Sequence, residues 1–219
     1  MTRLTPIVLT ALTLALAAGT AHAADAAKAV TPPKPEAKAD AALAKVIQES
    51  FVSKGPATVE GVTERDDVQK VCSQFADRNA VPAAVAKKLE DAQFKTIRYP
   101  ADNTWLGDWK EGEKTAQSGR GMQFSDPAGG ANGANCYACH RLSKDELSYG
   151  TIGPSLYQYG KLRGDSEAIL RYTWGKIYNS NAYAACSNMP RFGHKGILTE
   201  QQIRDVMALL FDPASPVNQ

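Results

Sequence analysis

Several kinds of chemistry are excluded by what this sequence lacks. It has no block of Lys and Arg and no basic helix interleaved with aromatics, and the formal net charge is only +2, one of those positives being Arg3. Nucleic acid is therefore not an expected partner. After the first 23 residues no apolar run is long enough to span a bilayer. Cysteine is scarce, at four, and histidine stands only at positions 22, 140 and 194. No second Cys or His pair lies at ligand spacing from the pair at 136 and 139, which argues against a zinc site, and no βαβ pattern surrounds that pair, which argues against a thioredoxin-type redox motif.

What remains is Cys136-Tyr137-Ala138-Cys139-His140. C-x-x-C-H is the attachment sequence of a c-type haem. Two thiols three residues apart on one turn reach the two vinyl groups of one porphyrin, and the histidine that follows is carried under the iron as its proximal ligand. One covalent haem c, held by Cys136 and Cys139 with His140 on the iron, is the expected cofactor.

Residues 1–23 read as a secretory signal: Arg3 supplies the positive start, Ile7 to Ala18 a short apolar run, and Ala21-His22-Ala23 a small-x-small cleavage site. Cleavage would deliver a chain starting at Ala24 to an oxidising compartment such as the periplasm. Residues 24–45, rich in Ala, Lys and Pro around Thr31-Pro32-Pro33-Lys34-Pro35, read as an extended linker. Residues 46–102 read as an N-terminal helical extension. One helix is expected to start near Thr63, carrying Val68, Val71, Cys72 and Phe75 on one face; another, from about Pro82 to Phe94, carries Val85, Leu89 and Phe94, with Lys87, Lys88, Glu90 and Asp91 solvated.

Residues 103–219 read as a class I cytochrome c-like haem domain, so the fold class expected for the whole is all-α. A helix is expected over Trp105 to Gln117, then an irregular glycine-rich loop from Gly119 to Asn135. A proximal histidine needs an acceptor for its other ring N–H, and Pro154, in Tyr149-Gly150-Thr151-Ile152-Gly153-Pro154, offers a rigidly aimed carbonyl. An ordinary turn is the rival reading. Gly164-Asp165-Ser166 is expected to cap a helix through Ile169, Leu170, Trp174, Ile177 and Tyr178, and the polar stretch Asn179 to Asn188 to loop over the far side of the haem. Tyr172, Trp174 and Tyr178 are either core or partners of the haem propionates. Thr199 and Gln202 form a capping box, with Leu198 and Ile203 as a hydrophobic staple, before a last helix buried through Ile203, Val206, Met207 and Leu210 and ended at Asp212-Pro213.

Four side chains are candidates for the second axial position: Met122, Met189, His194 and Met207. Met207 belongs to an apolar stripe, and Met122 precedes the attachment site with little chain to wrap round the haem. Met189, far enough along the chain to return and stiffened by Pro190, is preferred, with His194 as its main rival. A Met/His pair raises the potential and leaves the iron saturated, which suits electron transfer rather than ligand binding. No substrate pocket is expected. Cys72 and Cys186 remain; an even remainder in an oxidising compartment points to a disulfide closing a long loop, worth roughly 4 to 5 kcal/mol in the chain-entropy picture. A reactive Cys186 thiol near the iron is the alternative.

The stretches Asn135 to His140, Tyr149 to Gly164 and Cys186-Ser187-Asn188-Met189-Pro190-Arg191-Phe192-Gly193, with the helix from Thr199, resemble the SoxX cytochromes of bacterial sulfur oxidation. The likeness is strong from about residue 105 onward and loose in the extension. It implies the monohaem subunit of a periplasmic heterodimer with a SoxA-type cytochrome, which couples thiosulfate oxidatively to a cysteine of a sulfur-carrier protein. It places the sulfur chemistry on the partner and makes this chain a non-catalytic electron outlet toward a soluble cytochrome acceptor. Matched residue by residue, Cys136 and Cys139 hold the haem while His140 and Met189 ligate the iron. The alternatives are a general periplasmic electron-transfer cytochrome for another dehydrogenase, an enzyme using Cys186, and a ligand-binding haem sensor.

Overall fold

The computed structural model describes residues 37–75 and 77–219. The signal segment 1–23 and the first part of the linker lie outside them. The described chain is helical, with no β-structure among these residues beyond a single bridge between Lys54 and Ala57. Its eight α-helices are α1 Ala37–Ser50, α2 Val59–Thr63, α3 Asp67–Cys72, α4 Ala83–Phe94, α5 Trp109–Gln117, α6 Tyr159–Arg163, α7 Glu167–Tyr178 and α8 Glu200–Phe211. Three single 3-10 turns, at Arg78–Ala80, Ser180–Ala182 and Pro216–Asn218, complete the regular structure.

α8 is the centre of the fold. Thr199 and Gln202 close a reciprocal capping box at its start, which satisfies amide groups that the first helical turn would leave bare. Ile203 and every residue from Asp205 to Phe211 are buried, more than the one-sided stripe expected. A helix apolar on all sides has to be enclosed by other elements. α5 supplies the closest of them: a Cβ added at Gly112 would run into the Asp205 carbonyl, so a glycine is what lets the two backbones meet. The chain entering α5 is bonded to α8 as well, Gly107 N–H to Arg204 O at 2.9 Å and Asp108 N–H to the buried Asp205 carboxylate at 2.9 Å. α5 starts at Trp109 rather than Trp105; Trp105 is instead buried ahead of it, edge-on to Trp174 of α7 with centroids 5.9 Å apart.

Ser166 stands at the N-terminus of α7 without making a side-chain cap bond. The helix is held by Trp174, 1% exposed, whose indole N–H donates to Arg98 O at 2.7 Å. Trp174 is therefore a core residue tied to the extension, while Tyr172 is exposed at the surface and rests edge-on against Tyr183. The chain's end folds back under α6 through Gln158 N–H to Val217 O at 2.7 Å and through Asn218, whose amide donates to Leu210 O and Asp212 O at 3.0 Å.

The extension departs from the sequence expectation in three places. Ala37–Ser50 is helical, so the stretch read as an extended linker gives way at Ala37; over residues 41–50 only Ile47 is more than marginally covered. The cap of α3 is Asp66, boxed with Gln69, and not Thr63, which ends α2; α3 stops at Cys72, short of Phe75. Along α4 the solvated set is incomplete, because Glu90 turns inward and accepts Ala185 N–H at 3.0 Å.

Candidate functional site

The attachment motif begins where α5 ends. The last turn of any helix leaves carbonyls without intrahelical donors. Here two of these accept from the chain entering the motif: Thr115 O from Ala134 N–H and Ala116 O from Cys136 N–H, both at 2.8 Å. The motif itself is one tight turn, with Cys139 and His140 N–H both directed at Cys136 O, and Asn135 capping it by accepting Ala138 N–H at 3.1 Å. Cys136 and Cys139 thus share one turn as free, partly buried thiols. Enclosure pushes the Cys136 thiol up to about 12, helped by the neighbouring Cys139. Redox-active C-x-x-C pairs need the opposite, a thiol lowered toward the thiolate.

The Gly-Pro loop lies along this turn. Gly150 N–H donates to Tyr137 O at 2.9 Å, Gly153 N–H to Cys139 O at 2.8 Å and Leu156 N–H to Arg141 O at 2.8 Å. The Arg141 guanidinium lies over the rings of both Tyr149 and Tyr157 and ties the loop down from the side. The result is His140 Nδ1 2.7 Å from Pro154 O. An Nδ1–H donated to that carbonyl leaves the lone pair on Nε2, the nitrogen a metal would take. Gly153 is what permits the approach, since a Cβ there would fall inside the imidazole ring. Two free thiols three residues apart on one turn, an imidazole whose Nδ1 meets a carbonyl, and a backbone pressed against it fit a covalent haem. Among the described residues no three His, Cys, Asp or Glu side chains gather at metal-binding distance.

The four candidates for the opposite position fall in different surroundings. Met207 is fully buried in α8. Met122 is about half exposed, on a backbone with φ +63°, its thioether against Asn132. His194 is half-buried; burial, then the charges of Arg191 and Lys195, hold its imidazole below the usual value, and its backbone N–H is bonded to Tyr178 O. Met189 is half-buried against the same apolar cluster that takes Cys136 and Leu156. Its carbonyl accepts the Ser180 hydroxyl and its N–H reaches Ser187 Oγ at 3.2 Å.

Cys72 and Cys186 are joined as a disulfide, with Cα atoms 5.7 Å apart. The bond ties α3 to the segment carrying Met189, and with it the reactive-thiol alternative for Cys186 loses its free thiol. Asn179 to Asn188, the polar stretch expected to loop, is anchored at several points. Asn179 is fully buried, its amide donating to Gln93 Oε1 and Thr96 Oγ1, and Asn181 donates to Ala185 O at 2.6 Å. An open groove of about 400 Å³ lies beside it, lined by Cys72, Arg78, Cys186, Met189, Arg191 and Lys195 among others. The sequence reading expected no substrate pocket and did not foresee this groove. The Asp66–Arg191 pair also escaped it, because an ion pair between residues 125 apart in the chain has no local pattern.

No protein-family model matches the chain. A relative from Aquifex aeolicus (strain VF5), described as an uncharacterized lipoprotein, is 36% identical over 164 residues, which covers 73% of this chain and 76% of that protein. At that identity and coverage, this chain belongs to the same family as the Aquifex lipoprotein.

Proposed function

We propose that this chain is an exported monohaem cytochrome c of class I type, the SoxX-like electron-transfer subunit of a complex that couples thiosulfate to a sulfur-carrier cysteine. The observation that carries the haem reading is His140 held at 2.7 Å from Pro154 O, with the two free thiols on the same turn. A haem bound there supplies one-electron exchange at iron. Cys136 and Cys139 would fix it covalently, and Pro154 would set the orientation and basicity of His140. Met189 is the proposed second ligand, and the buried helices would exclude water from one side of the site.

The SoxX-like part of the proposal rests on the sequence resemblance, and its partners are a SoxA-type cytochrome, a sulfur carrier and a soluble cytochrome acceptor. The sulfur chemistry is assigned to the partner. Export to the periplasm is proposed from residues 1–23, and a relative described as a lipoprotein supports an exported chain. No helix among the described residues is long and apolar enough to cross a membrane.

The test is co-purification from the native source, haem staining, and reduction by thiosulfate. A second haem-bearing polypeptide, with reduction only when thiosulfate and a sulfur carrier are both present, is the expected result. A chain that runs alone and ignores thiosulfate would leave the haem reading but end the sulfur-oxidation one, in favour of a general periplasmic electron carrier.

A further inference from the structure

We infer that Asp66, in the N-terminal extension, is a positioning residue for Met189, an assignment that rests on reading Met189 as the ligand opposite His140. One Asp66 oxygen caps α3 by accepting Gln69 N–H at 3.0 Å. The other accepts Arg191 at 2.6 Å and Lys195 at 2.7 Å. Arg191 is two residues beyond Met189, and Lys195 N–H returns to Arg191 O at 2.9 Å. A single carboxylate therefore grips both ends of the turn that follows Met189-Pro190. On the other side of Met189 the chain is held by the Cys72–Cys186 bond, by Arg78 reaching Cys186 O at 3.3 Å, and by Glu90 on Ala185 N–H.

The Asp66–Arg191 pair is sheltered, the Arg191 side chain being 9% exposed. Partial burial opposes ionisation of Asp66, but bonds from Lys195, Gln69 N–H and Arg191 outweigh it and hold the carboxyl well below its usual range. Removing one partner of a sheltered charge pair strands the other. The stranded cation here would be the one that continues the backbone of Met189. The extension then acts on the iron site through the loop that presents the thioether.

The test uses the full exported protein carrying haem, with Asp66→Asn. Asparagine keeps an oxygen to cap α3 but removes the charge from Arg191 and Lys195. The expected result is loss of the Met-to-iron charge-transfer band and an affinity of the reduced form for carbon monoxide raised about 10-fold, with Asp66→Glu restoring both in part. Arg204→Gln breaks a different ion network, with Asp102 and Glu200. It should lower the unfolding midpoint and leave the band alone, which a merely structural role for Asp66 would match. If Asp66→Asn fails to accumulate, Lys195→Met leaves the Asp66–Arg191 pair in place and should move both readouts less, in the same direction. An unchanged band and unchanged carbon monoxide affinity in the folded variant overturn the assignment alone. A wild-type protein without haem overturns the underlying reading and the assignment with it.

Discussion

Around His140 the controlling residues are small. Gly153 contributes no side chain, yet its lack of one sets how closely the loop backbone approaches the imidazole, and Pro154 contributes only a carbonyl. Their substitutions should therefore behave in opposite ways. Gly153→Ala is expected to displace His140, costing about 1 to 3 kcal/mol in denaturant unfolding and lowering haem content per protein. Pro154→Ala keeps the carbonyl and should cost far less. The Gly-Pro pair was legible in the sequence because a histidine ligand needs an acceptor and the pair supplies a rigid one. The methionines differ likewise: Met207→Leu, conservative in volume within the core, is expected to cost under about 1.5 kcal/mol and to leave the visible spectrum unchanged. With Met189 as the proposed second ligand of a haem iron, Met189→Ala should open that iron to carbon monoxide.

Among the helices, those that carry their own instructions were readable. α8 has its cap, its box and its stop written within Leu198 to Pro213, and the structure follows them. Thr199→Ala is expected to cost about 1 kcal/mol, seen as a lower thermal midpoint with the haem spectrum retained. α7 is different: its Ser166 makes no cap bond, and its hold on the fold is Trp174 against Trp105 and Arg98. Trp174→Ala should then cost about 3 to 5 kcal/mol. The extension was less legible for a physical reason. α3 is only six residues long, and so short a helix is fixed by Asp66 and by tertiary bonds rather than by an apolar period. The Ala- and Lys-rich composition that suggested an extended linker also suits a helix, and from Ala37 it forms one.

At the level of the whole molecule, the extension is fastened to the segment between α7 and α8 by one disulfide, one sheltered ion pair and side-chain bonds from Arg78, Glu90, Gln93 and Thr96. The pairing of Cys72 with Cys186 was suggested by the even remainder of cysteines, whereas the ion pair had no local sign because 125 residues separate its members. Reduction of the disulfide is expected to cost up to about 4 to 5 kcal/mol, measured by unfolding with and without reductant. The same region should make stability fall with acid in two stages. His194 is depressed in the fold, so the unfolded chain takes up its proton first and stability declines as pH drops through the ordinary histidine value, about 6.5. Asp66 is depressed too; its contribution is complete above the ordinary carboxyl value, about 4, and is lost progressively below it. His194→Gln should remove the upper stage and Asp66→Asn the lower, in melts taken from pH 8 to pH 3. The proposed haem on Cys136 and Cys139 is tested most directly by the intact mass of the mature protein. The expected mass is the cleaved chain plus one haem, resistant to acid extraction and lost when both cysteines are changed to serine. A mass equal to the bare chain, with Cys136 and Cys139 both open to alkylation, would contradict it.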